Sequence, residues 1–174
     1  MNDLLWEWSW PAVDGSVLVP ASLLESLARY RQRAWNFERG GQLFIDPGDP
    51  RGLVLSVATA PDGRDRAGWT WLELDSDRCK DEIRKYNSMG LRLVGHWHTH
   101  PQAVPRISTT DISSVGRFAK KNAQLLENPL AVIVGQSSNP EGIQAWLFRE
   151  GRPLLAQRRV LGTQSRLTTS PHHK

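Results

Sequence analysis

Three histidines alternate with other residues in Gly95-His-Trp-His-Thr-His-Pro101, and this run constrains the chain more than any other segment. Successive side chains of an extended backbone point to opposite faces, so a strand here puts His96, His98 and His100 on one side. Leu91, Leu93 and Val94 lead into the run and Pro101 stops it, so the strand is expected over Leu91–His100. Three imidazoles side by side repel if charged, and a bound metal resolves this because neutral imidazole is the commonest metal ligand.

The rest of the chain has to hold that face open to a ligand. Trp6, Trp8 and Trp10 alternate with polar residues, which predicts a strand with one apolar face, read as a sheet edge rather than a partner-binding ridge. Pro20 to Trp35 predicts a helix, with Pro20 in its first turn and Leu23, Leu24, Leu27 and Tyr30 forming an apolar stripe. Gly40-Gly41 releases the chain into a strand at Gln42–Ile45, followed by strands at Leu53–Ala60 and Trp69–Leu74. A helix follows from Asp77, read as its N-cap, to Asn87, with Gly90 ending it. Ser108 to Asn122 is the next helix, and Leu130–Val134, Gln144–Phe148 and Leu154–Val160 are strands. Strands and helices interleave, so the fold class is α/β (α+β), a mixed sheet flanked by helices. Residues 1–162 are expected to form one domain, and residues 163–174, which lack periodicity, a disordered C-terminal tail.

Composition narrows the partners. The 174 residues suffice for one domain with a core, and 39% hydrophobic with 23% charged residues is ordinary for a globular protein. Uninterrupted apolar runs fall far short of a membrane span, so no membrane partner is expected. No secretory signal is read at the N-terminus, and the single cysteine, Cys79, fits a reducing compartment, so a cytoplasmic location is expected. The net charge of +4 is dispersed along the chain rather than gathered into a stripe, which argues against a nucleic-acid partner.

A catalytic zinc site commonly uses three protein ligands and leaves one position for water. His98 and His100 supply two. After seven intervening residues beyond His100 comes Ser108-Thr-Thr-Asp111, in which Asp111 can supply the third from the first turn of a helix. The same four residues also read as a capping box with Ser108 as N-cap, and the two roles are compatible. The zinc-activated water needs a proton acceptor, for which Glu38, just before Gly40-Gly41, is the candidate. By itself Glu38 reads only as an exposed carboxylate at a helix end. Cys79 lies among Asp75, Asp77 and Asp81, which disfavours a thiolate nucleophile.

A glutamate before a Gly-Gly strand, then His-x-His-Pro, then Ser-x-x-Asp at this spacing resembles the JAMM motif of the JAB/MPN metalloproteases. The match covers Glu38, His98, His100, Ser108 and Asp111, and the order of elements parallels that fold, cytidine-deaminase-like, over about residues 15–150. The resemblance implies one Zn2+ per chain held by His98, His100 and Asp111, with Glu38 as general base and Ser108 stabilising the oxyanion. It also implies a protein substrate carrying an amide or isopeptide bond at a ubiquitin-like junction. Gly40-Gly-Gln-Leu43, Ala58-Thr-Ala-Pro61 and the histidine run look like the bacterial branch that includes the isopeptidase of type II CBASS anti-phage operons. That branch would remove a conjugate from a nucleotide cyclase. Ile107 stands where a proline is common, and His96 where the branch often has another polar residue. Processing of a sulfur-carrier protein and a non-catalytic scaffold are the rival readings, while a zinc deaminase would need two cysteines.

Overall fold

The computed structural model describes residues 5–122 and 126–161; the expected tail from Thr163 lies outside the described residues. Eleven strands and three helices follow one another along these residues. They are β1 (Leu5–Trp10), β2 (Gly15–Pro20), α1 (Ala21–Ala28), β3 (Gly40–Asp46), β4 (Val54–Ala58), β5 (Arg66–Ala67) and β6 (Leu72–Glu73). Then come α2 (Ser76–Ser88), β7 (Arg92–Thr99), α3 (Thr109–Lys121), β8 (Leu130–Val134), β9 (Ile143–Arg149), β10 (Arg152–Leu155) and β11 (Gln157–Leu161). No helix among the described residues is long and apolar enough to cross a membrane.

Nine strands form one mixed sheet in the order β10-β9-β8-β7-β3-β4-β2-β1-β11. β7 runs parallel to β8, and α3 is the crossover that such a pair requires. β10 and β11 stand at opposite ends of that order, yet only Ala156 separates them along the chain. Leu155 pairs with Trp146 of β9, and two residues later Gln157 pairs with Ser9 of β1. The sheet therefore curls until its ends meet, and the Trp10 indole donates to the Leu154 carbonyl at 2.9 Å across the seam. Curling this way leaves neither end of the sheet as a long free edge.

Alternation along the strands sorts the core into two layers. Leu130, Val132 and Val134 of β8 face inward with Trp8, Trp10, Leu43 and Trp97, closed by Leu23, Leu24 and Leu27 of α1. Ala131 and Ile133 face outward, where they pack with Trp146 and Phe148 of β9 and Val115 of α3. A strand buried on both faces reads as an unbroken apolar run, as Leu130–Val134 does.

Several expectations are corrected. The tryptophan stripe is buried at Trp8 and Trp10, but β1 lies between β2 and β11 rather than at an edge. The first helix ends at Ala28, and Pro20 closes the unanticipated strand β2 as the helix N-cap. Tertiary hydrogen bonds draw the chain off the helical path after Ala28. The Arg31 guanidinium donates to the carbonyls of Gly135 and Ser137, and the buried Gln32 amide donates to those of Asn36 and Trp69. Of the strand expected at Trp69–Leu74 only Leu72–Glu73 forms, because Gly68 N–H turns back onto the Trp71 carbonyl and leaves both tryptophans in solvent. Asp75, not Asp77, caps α2 by accepting from the Arg78 N–H.

Candidate metal centre

Register brings Glu38 to the histidines. In the antiparallel pair β3–β7, Gly40 faces His98 and Gly41 faces Trp97. The pairing runs past the end of β3, with Thr99 N–H donating to the Arg39 carbonyl and Arg39 N–H to the Thr99 hydroxyl. Two residues back from Gly40, Glu38 thus comes beside His100, which follows β7 and donates its own N–H to the Val134 carbonyl. Gly40 is needed for this approach, since a Cβ there would lie 2.3 Å from the Trp97 carbonyl oxygen and 2.5 Å from a Leu72 methyl. Glu38 is buried rather than exposed, which its isolated reading had not anticipated.

The other wall is the first turn of α3. Ser108 caps it by accepting from the Asp111 N–H at 3.1 Å, and Asp111 Oδ2 accepts from the Ser108 N–H at 2.7 Å and the Ser108 hydroxyl at 2.6 Å. The capping box fixes the Asp111 carboxylate so that it also meets the histidines, Oδ1 at 3.0 Å from His98 Nε2 and Oδ2 at 3.3 Å from His100 Nε2. The carboxylate that closes the cap is therefore also the one that faces both imidazoles.

His98 Nε2 and His100 Nε2 lie 3.1 Å apart. Glu38, His98 and His100 each offer an atom within 4.8 Å of the other two, and Glu38 Oε1 is 4.0 Å from His100 Nε2. Two ring nitrogens and carboxylate oxygens converging on one point is a donor set that zinc accepts, and ligands about 2.0–2.2 Å from a tetrahedral ion are themselves about 3.4 Å apart. The spacing of these side chains fits a metal ion.

Titration follows from the setting. Burial pushes the Glu38 carboxyl up to about 7, with the nearby His100 opposing this and Asp111 adding to it. Burial would also raise Asp111, but hydrogen bonds from His100, His98 and Ser108 outweigh it and hold that carboxyl far below its usual range. Burial would lower His100, yet Asp111 and Glu38 raise it overall. His96 differs: its ring turns edge-on to Phe118 at 4.3 Å, and burial, with His98 and Arg78 nearby, pushes it down to about 4. It shares a face with His98 but stays out of the cluster that joins His98 to His100. Burial raises the Cys79 thiol to about 11, which keeps it protonated near neutral pH.

Glu38, His98 and Asp111 line a cleft of about 350 Å³. β7 contributes His96 and His98 to its lining, α3 contributes Asp111, Val115 and Phe118, and residues 70–74 supply a further stretch. A family model described as prokaryotic homologs of the JAB domain matches residues 20–149. The chain belongs to this family. The JAB-domain chain is similar in structure to protein DSY2949 from Desulfitobacterium hafniense, with a TM-score of 0.56 at 16% identity over 79% of this chain and 87% of that one, a likeness of fold alone. No functionally curated protein matches the sequence. JAB domains are often hydrolytic, some being non-catalytic, and here Glu38, His98 and His100 form a cluster that could hold a metal ion.

Proposed function

We propose that this JAB domain is a zinc-dependent isopeptidase that cuts the amide joining the C-terminus of a ubiquitin-like protein to its target. The observation that carries this is Glu38, buried 4.0 Å from His100 Nε2 and facing a ring of His98, His100 and Asp111. Asp111 sits nearer the imidazoles than Glu38 does, so His98, His100 and Asp111 hold the ion, and Glu38 is left free for proton transfer. When bound, Zn2+ supplies Lewis acidity that polarises a carbonyl and acidifies water. Glu38 takes the proton of the attacking water on its carboxylate and delivers it to the leaving amine.

Ser108 is the donor to the developing oxyanion. Its single hydroxyl proton points to Asp111 Oδ2 at 2.6 Å, so this role requires the hydroxyl to swing from that carboxylate to the substrate oxygen. The biological target we propose is a nucleotide cyclase conjugated within a bacterial anti-phage operon, and an adjacent cyclase and ubiquitin-ligase-like gene would support it.

The test combines metal content with turnover. Purified protein should carry one Zn2+ per chain; His98→Ala and Asp111→Ala should lose it, while Glu38→Gln keeps it and loses about 10²–10⁴ in amide cleavage. Glu38→Gln with undiminished cleavage would overturn the assignment of the base, and cleavage unaffected by chelation would overturn the metal reading.

A further inference from the structure

Four aromatic side chains stand in solvent beside Glu38, where nothing in the core requires them: Trp35 is 83% exposed, Phe37 54%, Trp69 51% and Trp71 45%. They come from two segments bound to each other. Glu38 N–H donates to the Gly68 carbonyl at 2.8 Å, and Gly68 N–H to the Trp71 carbonyl at 2.9 Å. The Gln32 amide, buried beneath, bridges the carbonyls of Asn36 at 2.8 Å and Trp69 at 3.0 Å. Trp35 and Trp69 meet edge to face at 6.0 Å. At Gly68 a Cβ would lie 2.1 Å from the Trp71 indole nitrogen, so the backbone itself seats that ring. Trp35, Trp69 and Trp71 are thus built into place rather than carried on slack loops.

Exposed aromatic rings gathered in one patch mark an interaction site. Exposed Arg33 and Arg39 flank it along the same segment. Tryptophan, phenylalanine and arginine are the residues enriched at the energetic centre of protein–protein interfaces. The surface is also continuous with the cleft: Trp71 and Glu38 both line it, and Phe37 immediately precedes Glu38.

We infer that Trp35, Phe37 and Trp69 form a docking platform for the folded body of the protein whose C-terminal tail enters the cleft. The partner face is an apolar patch bordered by carboxylates that meet Arg33 and Arg39. This rests on the isopeptidase reading and adds to it a division of labour, with the cleft holding the tail and the platform holding the fold. Removing the platform therefore weakens recognition of a folded substrate and leaves the chemistry alone.

The experiment uses the full chain in cells of its own host. Glu38→Gln should make an uncut conjugate accumulate. On that background, p-benzoylphenylalanine at position 35 should cross-link, on illumination, to that same conjugate. With the purified conjugate as probe, Trp35→Ala/Trp69→Ala should raise KM at least tenfold while kcat, zinc content and Tm stay near wild type; Trp35→Tyr should keep most of the affinity. A KM unchanged in the double variant, a cross-link to a second copy of this chain, or a cross-link only to nucleic acid would overturn the platform while the isopeptidase reading stands. If Glu38→Gln accumulates nothing, the isopeptidase reading falls and the platform with it.

Discussion

Replacing Arg78 by methionine should destabilise the protein more than any exposed charge removal. Arg78 lies on α2 with its side chain 1% exposed, bound through Nε to Asp65 Oδ1 at 3.1 Å and through Nη2 to Asp65 Oδ2 at 2.9 Å. Nη1 reaches Glu82 at 2.7 Å. Gln42 of β3, with its amide turned to satisfy both partners, donates to Glu82 at 2.9 Å and to the Cys79 carbonyl at 3.1 Å. Removing the guanidinium leaves two carboxylates without a counter-charge, and breaking a buried pair this way costs about 3–5 kcal/mol. Two features reduce that cost: Asp65 keeps the N–H groups of Asp62 and Asp75, and the Glu82 side chain is 21% exposed to water. The expected loss is then about 2–4 kcal/mol, or about 4–16 °C in Tm at roughly 2–4 °C per kcal/mol for a domain of this size. Thermal unfolding followed by circular dichroism reads it directly. Adding Asp65→Asn to Arg78→Met should return part of the loss by deleting one orphaned charge. Arg78→Met within about 0.5 kcal/mol of wild type, or Asp65→Asn costing as much again, would refute the reasoning.

Other perturbations address the site. The Glu38 carboxyl stands at about 7 in the fold against 4.5 unfolded, so folding favours its protonated form and stability is lost as pH rises through that window. Metal-free protein should thus lose on the order of 2–3 kcal/mol between pH 5 and pH 8, and Glu38→Gln should flatten the profile, as a Tm series across pH would show. Ser108→Ala should cost about 10²–10³ in kcat if the hydroxyl serves the oxyanion. If it only caps α3, stability should fall by about 1 kcal/mol with kcat little changed, so kcat and Tm together decide. Gly40→Ala should force β3 from β7 and abolish zinc binding, measured by metal content, even in protein that remains folded.

What could be read from the amino-acid order was whatever depends on local periodicity. The alternation at His96–His98, the unbroken apolar run Leu130–Val134 and the Ser108–Asp111 cap each became the element their pattern implies. Patterns set by distant partners were misread. The helix from Pro20 kept its apolar stripe through Tyr30 but was cut short by hydrogen bonds from Arg31 and Gln32 to residues far along the chain. Trp69 to Leu74 alternates like a strand, although its aromatic face has no core to meet. Glu38 had no local signal at all, because its burial comes from a register that only the pairing of β3 with β7 defines.

That register is also why the chemistry can be precise on a small domain. Glu38 and His100 lie where β3 and β7 run past their paired ends, and His98 sits one pleat inside. Asp111 arrives from the crossover helix that the parallel β7–β8 pair demands, with its rotamer held by the cap. Each group is thus placed by an element whose position is set by the barrel-like sheet. A displacement of one residue in β3 would move Glu38 to the opposite face, away from the imidazoles. The bulges recorded between Leu43 and Phe44 and between Phe44 and Ile45 lie at the far end of β3, so irregular pairing is kept away from the end that holds Glu38.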